Sequence, residues 1–326
     1  MAEPATTRWL PLVAVGTSVV LWSTAYALSG IVLETSSPAV LSVGRFVIAL
    51  VPLVPLAWRR PGFGRALRSP RTVVLGLTGV TLYYSLTNIG LLFTSAGTAA
   101  LAAALLPVLT TVLAVAVLRE RPPRRTVIGL VLATVGIALV AASGLRFDLG
   151  IVLCVLALAA YAVYTVLLRG SGPEGSREAR TDSPDALVLA TATGIWGTAL
   201  MIPWLIVEVA VGGARLPTGF EGIGGILFLG LIVTAPTLVL FNYGAERLPA
   251  AISGIATAGI PALGYAFAVV LGEAPVLAKV IGGAIALVGI VVASLATPTI
   301  EPSPPGAAIM PHPEDSGDPD GSQTLR

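Results

Sequence analysis

Few side chains in this chain could do chemistry away from water, and their placement is uneven. Arg45 interrupts an otherwise uncharged run from 37 to 58. A cation at that depth costs about 2.5–3.5 kcal/mol on insertion scales, so it must face a cavity or a polar partner rather than lipid. Two roles are open: counter-charge for an anionic group such as a carboxylate, or a structural arginine bonded to nearby carbonyls and waters. Aromatic residues gather inside the uncharged runs as Trp22 and Tyr26, Tyr83 and Tyr84, Tyr161 and Tyr164, and Tyr265. Trp22–Tyr26 is an i, i+4 pair and Tyr161–Tyr164 an i, i+3 pair, so each pair shares one helix face. Two such faces would line a cavity with rings and hydroxyls for an amphipathic solute. The competing arrangement is an interfacial aromatic belt, which suits Trp9, Trp58 and Trp204 better because they sit near the ends of the runs.

Asn88 and Asn242 are amides near the ends of long apolar runs. They either line a cavity or tie helices together through interhelical hydrogen bonds of about 0.6–2 kcal/mol. Pro107 and Pro261 each remove a backbone donor within a run and are expected to kink the helix there. The freed carbonyls must then be satisfied inside the bundle. The candidate substrate-facing set is therefore Trp22, Tyr26, Arg45, Tyr84, Asn88, Tyr161, Tyr164, Asn242 and Tyr265, with Pro107 and Pro261 as candidate kink positions.

The same survey speaks against an enzyme. Catalysis within a membrane needs acids, bases, nucleophile–base pairs or metal ligands held in the bundle. The runs hold no histidine, their acids lie at the ends, and the single His312 falls in a C-terminal segment rich in Pro, Gly, Ser and acid. That segment, 299–326, reads as a solvated disordered tail. The single Cys154 lies in LGIVLCVLALAA and reads as packing, having no second cysteine to pair with and no metal-ligand neighbour. No phosphate-cradling glycine loop is present, so ATP-driven work by this chain has no support. No cofactor or metal is called for.

These residues must be positioned by elements whose solvent is lipid. Of 326 residues, 55% are hydrophobic and only 11% charged, whereas soluble domains carry about 25% charged residues. The net charge is +2, with no basic block interleaved with aromatics, so nucleic acid is not an expected partner. Charges divide the chain into runs of about one bilayer each. They cover 9–33, 37–58 around Arg45, 72–118, which is long enough for two helices about Thr94-Ser95-Ala96-Gly97, then 126–145, 149–168, 186–207, 222–245, 248–272 and 280–300. The expected fold is all-α and membrane-embedded with ten transmembrane helices. Ala25-Tyr26-Ala27 resembles a signal-peptidase site, but the first run is longer than a signal core and only Arg8 precedes it, which favours an uncleaved helix. With the N-terminus inside, Arg59, Arg60, Arg65, Arg68 and Arg71 and most other basic residues are cytoplasmic, against Arg146, Arg215 and Lys279 outside. The positive-inside rule then puts both termini in the cytoplasm of a bacterial-type inner membrane.

The chain also compares with itself. Asn88-Ile89-Gly90 recurs as Asn242-Tyr243-Gly244, and at the same offset Ala96 matches Ala250 and Pro107 matches Pro261. One residue out of step, Glu120 matches Glu273, Gly129 matches Gly282 and Gly136 matches Gly289. Five helices per copy is an odd number, so the second copy must be inverted. Inverted repeats are typical of secondary transporters, with the solute site between the halves at the midplane. The expected division is 1–145 and 146–298, followed by the tail.

The segment YYSLTNIGLLFTSAGTAALAAALLPVLTTVLAVAVLRERP, with its counterpart ERLPAAISGIATAGIPALGYAFAVVLGEAP, resembles the drug/metabolite transporter superfamily, EamA-type. The likeness rests on an aromatic-rich third helix, an S-A-x-x-A-A turn, a mid-helix proline and a closing acid, and it covers residues 10–297. One departure is that Pro261 to Glu273 is a residue shorter than Pro107 to Glu120. The resemblance implies a carrier of a small metabolite, an amino acid-like solute or a drug-like compound, working by alternating access, with export the expected direction and Pro107 and Pro261 as gating positions. A channel or a non-transporting membrane partner is the alternative. The implied partners are the solute and the bilayer, with a homodimer compatible. The expected cavity lies between spans 1, 3, 4, 6, 8 and 9.

Overall fold

The structure, a computed structural model, describes residues 9–118, 122–142, 148–169, 185–245 and 256–295. Among them the regular elements are all helical. Eight helices are long and apolar enough to cross a membrane: α1 Leu10–Thr35, α2 Pro38–Trp58, α3 Pro70–Gly90, α4 Ala96–Val117, α5 Arg124–Ala142, α6 Leu149–Leu167, α7 Ala186–Ala210 and α8 Gly219–Phe241. Two shorter apolar helices follow, α9 Ala256–Val270 and α10 Leu277–Ala293. A short helix, Phe63–Arg68, joins α2 to α3. Glu120, His312 and the 299–326 tail lie outside the described residues, and so does the side chain of Asn242.

Local chemistry sets where the helices start and stop. Ser37 is extended and Pro38 takes the first helical position of α2, where its missing N–H costs nothing. Ser95 caps α4 by accepting the Thr98 N–H, and Asp185 caps α7 by accepting the Leu187 N–H. Gly272, at φ 113, ends the α9 segment in a backbone conformation closed to other residues.

Inside the bundle, many hydroxyls find partners on their own helices. Ser18, Ser23, Thr191 and Thr198 each donate to the carbonyl four residues back, which satisfies them without water. The outer surface is apolar, with Val51, Val117, Ile206 and Val270 well exposed. In water such a surface would aggregate; against acyl chains it is the required one.

α5 and α10 pack antiparallel through paired glycines. A Cβ on Gly129 would stand 2.4 Å from the Gly289 carbonyl oxygen, and one on Gly136 would stand 2.5 Å from that of Gly282. Small residues let the two backbones meet, so close packing replaces the hydrophobic effect that lipid abolishes.

The turns fall on two faces. One carries Ser36–Ser37, 91–95, 211–218 and 271–276; the other carries the α2–α3 connection and Asp185. On the first, the Ser36 face, Ser37 Oγ donates to Glu208 Oε2 at 2.6 Å and Thr94 Oγ1 to Asp148 Oδ2 at 2.6 Å. On the second, the Arg60 face, Arg60 meets Asp185 at 3.2 Å.

Candidate functional site

Ser42, Arg45, Phe46, Ala49 and Leu53 recur at three- and four-residue spacing, so α2 turns them all to one buried face. Arg45 is 2% exposed. Its Nε donates to Thr234 Oγ1 of α8 at 2.7 Å. Thr234 comes this close because Gly230, one turn earlier, lets α8 rest on α2: a Cβ there would lie 2.9 Å from the Arg45 carbonyl oxygen. In this stretch α8 is a π-helix, Phe228–Thr234, and the Thr234 hydroxyl donates to the Leu229 carbonyl five residues back at 2.7 Å. Such wide turns are common at functional sites. α3 contains another, Leu77–Leu82, just before its two tyrosines.

From Arg45 a row of rings crosses the bundle. The guanidinium carbon lies 4.9 Å from the Tyr84 ring centroid, within reach of a cation–π interaction. Tyr84 packs edge-on against Phe46 at 4.7 Å and against Tyr83 at 4.9 Å. Tyr83 lies 4.9 Å from Tyr161, which lies 5.1 Å from Tyr164. The Tyr26 and Tyr83 hydroxyls are 3.1 Å apart. Gly79 makes room for the last ring, since a Cβ there would stand 2.5 Å from Tyr164 Cδ2. Elsewhere Trp22 meets Phe241 at 4.9 Å.

These side chains surround a cavity of about 840 Å³, lined by Trp22, Tyr26, Arg45, Tyr84, Asn88, Tyr161 and Tyr164 among others. Asn88 belongs to the wall and to a tie at once: it is 2% exposed, and its Nδ2 donates to Ser42 Oγ at 2.8 Å. Pro107 and Pro261 also line the space. The helix is interrupted immediately before each, by a 3₁₀ turn at Ala103–Leu105 and by a turn at Gly259, as a missing backbone donor requires.

Tyr265 is placed differently. It is absent from the cavity wall; its hydroxyl accepts the Val276 N–H at 3.0 Å, and its ring lies where a Cβ on Gly97 would fall. It helps fasten the α9–α10 turn to α4 at the Ser36 face. In that turn Glu273 accepts from Ser95 Oγ at 2.6 Å and from the Gly97 N–H at 2.8 Å, and pairs with Lys279 at 2.9 Å. Partial burial pushes this carboxyl upward, but the bonds from Ser95, Lys279 and Gly97 outweigh it and hold its pKa below the ordinary 4.5. Glu273 is thus a loop anchor, as its position at a run end implied.

The cavity is wider in membership than expected. α2 supplies Arg45, Phe46, Ala49, Leu50 and Leu53, α7 supplies Ala186, Leu189, Ala190, Thr193 and Gly194, and α10 supplies Ile290. Phe46, Thr234 and Phe241 escaped the sequence reading, and Tyr83, noted among the aromatic residues, was left out of the substrate-facing set. Phe46 and Tyr83 adjoin flagged residues, which is a usable signal; a lone threonine in an apolar run is not. On α6, α7, α8 and α9 the lining residues lie mainly in the halves nearer the Arg60 face, whereas on α1 and α3 they lie mainly nearer the Ser36 face. Among the described cavity residues Arg45 is the sole full charge.

The pattern of the EamA-like transporter family matches this chain twice, over residues 9–142 and 148–295. A probable terminal-alkyne amino-acid exporter of Streptantibioticus cattleyicolor is 30% identical, over 84% of this chain and 89% of that protein. An uncharacterized transporter of Archaeoglobus fulgidus is 26% identical, over 87% of this chain and 97% of that one. A protein of known crystal structure shares the fold with a TM-score of 0.62 at 22% identity, covering 90% of this chain and 98% of that one. Two matched segments spanning nearly all the described helices, together with a transporter relative along most of the chain, make this multi-pass membrane protein a member of the EamA-like transporter family.

Proposed function

We propose that the protein is a secondary transporter that exports a small amino-acid-like or drug-like solute by alternating access. In this reading ten spans form two inverted halves, 1–145 and 146–298, with both termini in the cytoplasm of the inner membrane. Two observations support the inversion. The family pattern matches twice, and the contacts Gly129–Gly289 and Gly136–Gly282 exchange partners under the offset that relates the halves.

The observation that carries the proposal is a cavity enclosed between the two matched segments and lined by residues of both. Its described wall sets the buried Arg45 beside a row of tyrosines, a lining suited to a small amphipathic solute. The basic residues favour a cytoplasmic Arg60 face. The S. cattleyicolor relative, named as a probable amino-acid exporter, supports an amino-acid-like solute.

Counterflow in proteoliposomes tests it. A carrier gives saturable uptake that is accelerated by solute on the far side, and linear, unaccelerated flux would identify a channel instead. Single cysteines at Gly64 and Gly213 should label from opposite sides of the membrane; labelling from one side overturns the inverted halves.

A further inference from the structure

Arg45 brings a positive charge into a cavity whose described residues include no carboxylate to neutralise it. Its Nε is engaged by Thr234, but among the described residues neither terminal nitrogen has a hydrogen-bond partner. The described acids, Glu34, Asp148, Asp185, Glu208, Glu221 and Glu273, all sit at helix ends or turns, and none lines the cavity. The wall that continues from the guanidinium is aromatic, through Tyr84, Tyr83 and Tyr161. Thr193, 3% exposed, lines the same space with an Oγ1 that has no hydrogen-bond partner.

We infer that, given the transporter reading, the solute is an amphipathic monoanion whose carboxylate is required and whose ammonium group, if present, is dispensable. The free edge of the guanidinium presents two terminal nitrogens in the fork geometry that matches a carboxylate. The low dielectric around a buried cation makes an anion favourable and a second cation costly. The apolar or aromatic body of the solute lies against the tyrosine row. An ammonium group has no carboxylate to meet among the described cavity residues, so removing it costs little. One guanidinium balances one negative charge, so a phosphate dianion is disfavoured.

The test measures binding to purified protein, separately from transport, by isothermal calorimetry. The probes are phenylalanine, 3-phenylpropionate, phenylalaninamide, 3-phenylpropanol and phenylphosphate. The two carboxylates should bind within a few-fold of one another, and the amide, alcohol and phosphate at least tenfold more weakly. Arg45→Gln should weaken both carboxylates roughly tenfold to hundredfold, the loss expected for a charge-assisted bond, while Arg45→Lys retains part of the affinity. The series on unsubstituted protein decides the matter even where Arg45→Gln fails to fold. Absence of carboxylate preference, whether by equal binding or by none, overturns the inference. Phenylalanine binding that collapses without its ammonium group overturns it too. Selective carboxylate binding without counterflow would leave this inference standing and sink the transporter reading; counterflow of a cationic or neutral solute would do the reverse.

Discussion

Gly129 and Gly289 meet backbone to backbone, with a Cβ on the former placed 2.4 Å from the carbonyl oxygen of the latter. Their mirror contact, Gly136 with Gly282, uses the residues that the repeat pairs with them. A methyl at either contact must force the backbones of α5 and α10 apart. Gly129→Ala and Gly289→Ala should each destabilise the fold by about 1–3 kcal/mol, the range for overpacking. Gly16→Ala, where nothing lies within 4 Å, should leave the melting temperature in detergent unchanged. Equal melting of all three would show that α5 and α10 do not pack this way.

The Glu273 cluster predicts a pH dependence. A carboxyl whose folded-state pKa is lowered contributes stability above its unfolded value, and that contribution fades as pH falls through the folded value. With the pKa held below 4.5, wild-type stability should be level at neutral pH and decline only under acid conditions below about that value. Glu273→Gln should be less stable at pH 7, and its difference from wild type should shrink as pH falls. Thermal melts at a series of pH values read both; a constant difference would mean the carboxylate charge plays no part.

The aromatic row should govern affinity rather than folding. Trp22→Ala and Tyr164→Ala are expected to weaken transport several-fold while expression stays normal. Gly79→Ala should imitate Tyr164→Ala, because the added methyl falls 2.5 Å from Tyr164 Cδ2. Gly64→Ala, in open space, is the control. Concentration-dependent uptake measures all four, and an unchanged half-saturation in the two ring variants removes those rings from the solute's path.

The bond from Asn88 to Ser42 joins α3 to α2. A double-mutant cycle with Asn88→Ala and Ser42→Ala should return a coupling of about 0.6–1.7 kcal/mol, the range for interhelical bonds in membranes. A coupling near zero would mean that each residue acts alone.

Much of this architecture could be read along the chain. The division into apolar runs, the mid-run position of Arg45, the helix breaks before Pro107 and Pro261, and Glu273 at a turn all follow from composition and spacing. Lipid imposes a one-dimensional rule, apolar for one bilayer thickness, and local breaks answer to single residues such as proline. The paired faces of Trp22–Tyr26 and Tyr161–Tyr164 were legible for the same reason, since helical spacing is local.

Other features depend on how one helix is turned toward another. Thr234 lies 189 positions from Arg45, and only the approach permitted at Gly230 and the wide turn of α8 bring its hydroxyl to the guanidinium. Tyr265 looks like a cavity residue by type, yet the rotation of α9 sends it to the α9–α10 turn. α7 and α10 join the cavity wall through contacts that composition does not encode. In a bundle without a hydrophobic force between helices, rotation is chosen by small residues and a few hydrogen bonds, and these have meaning only once both partners are in place.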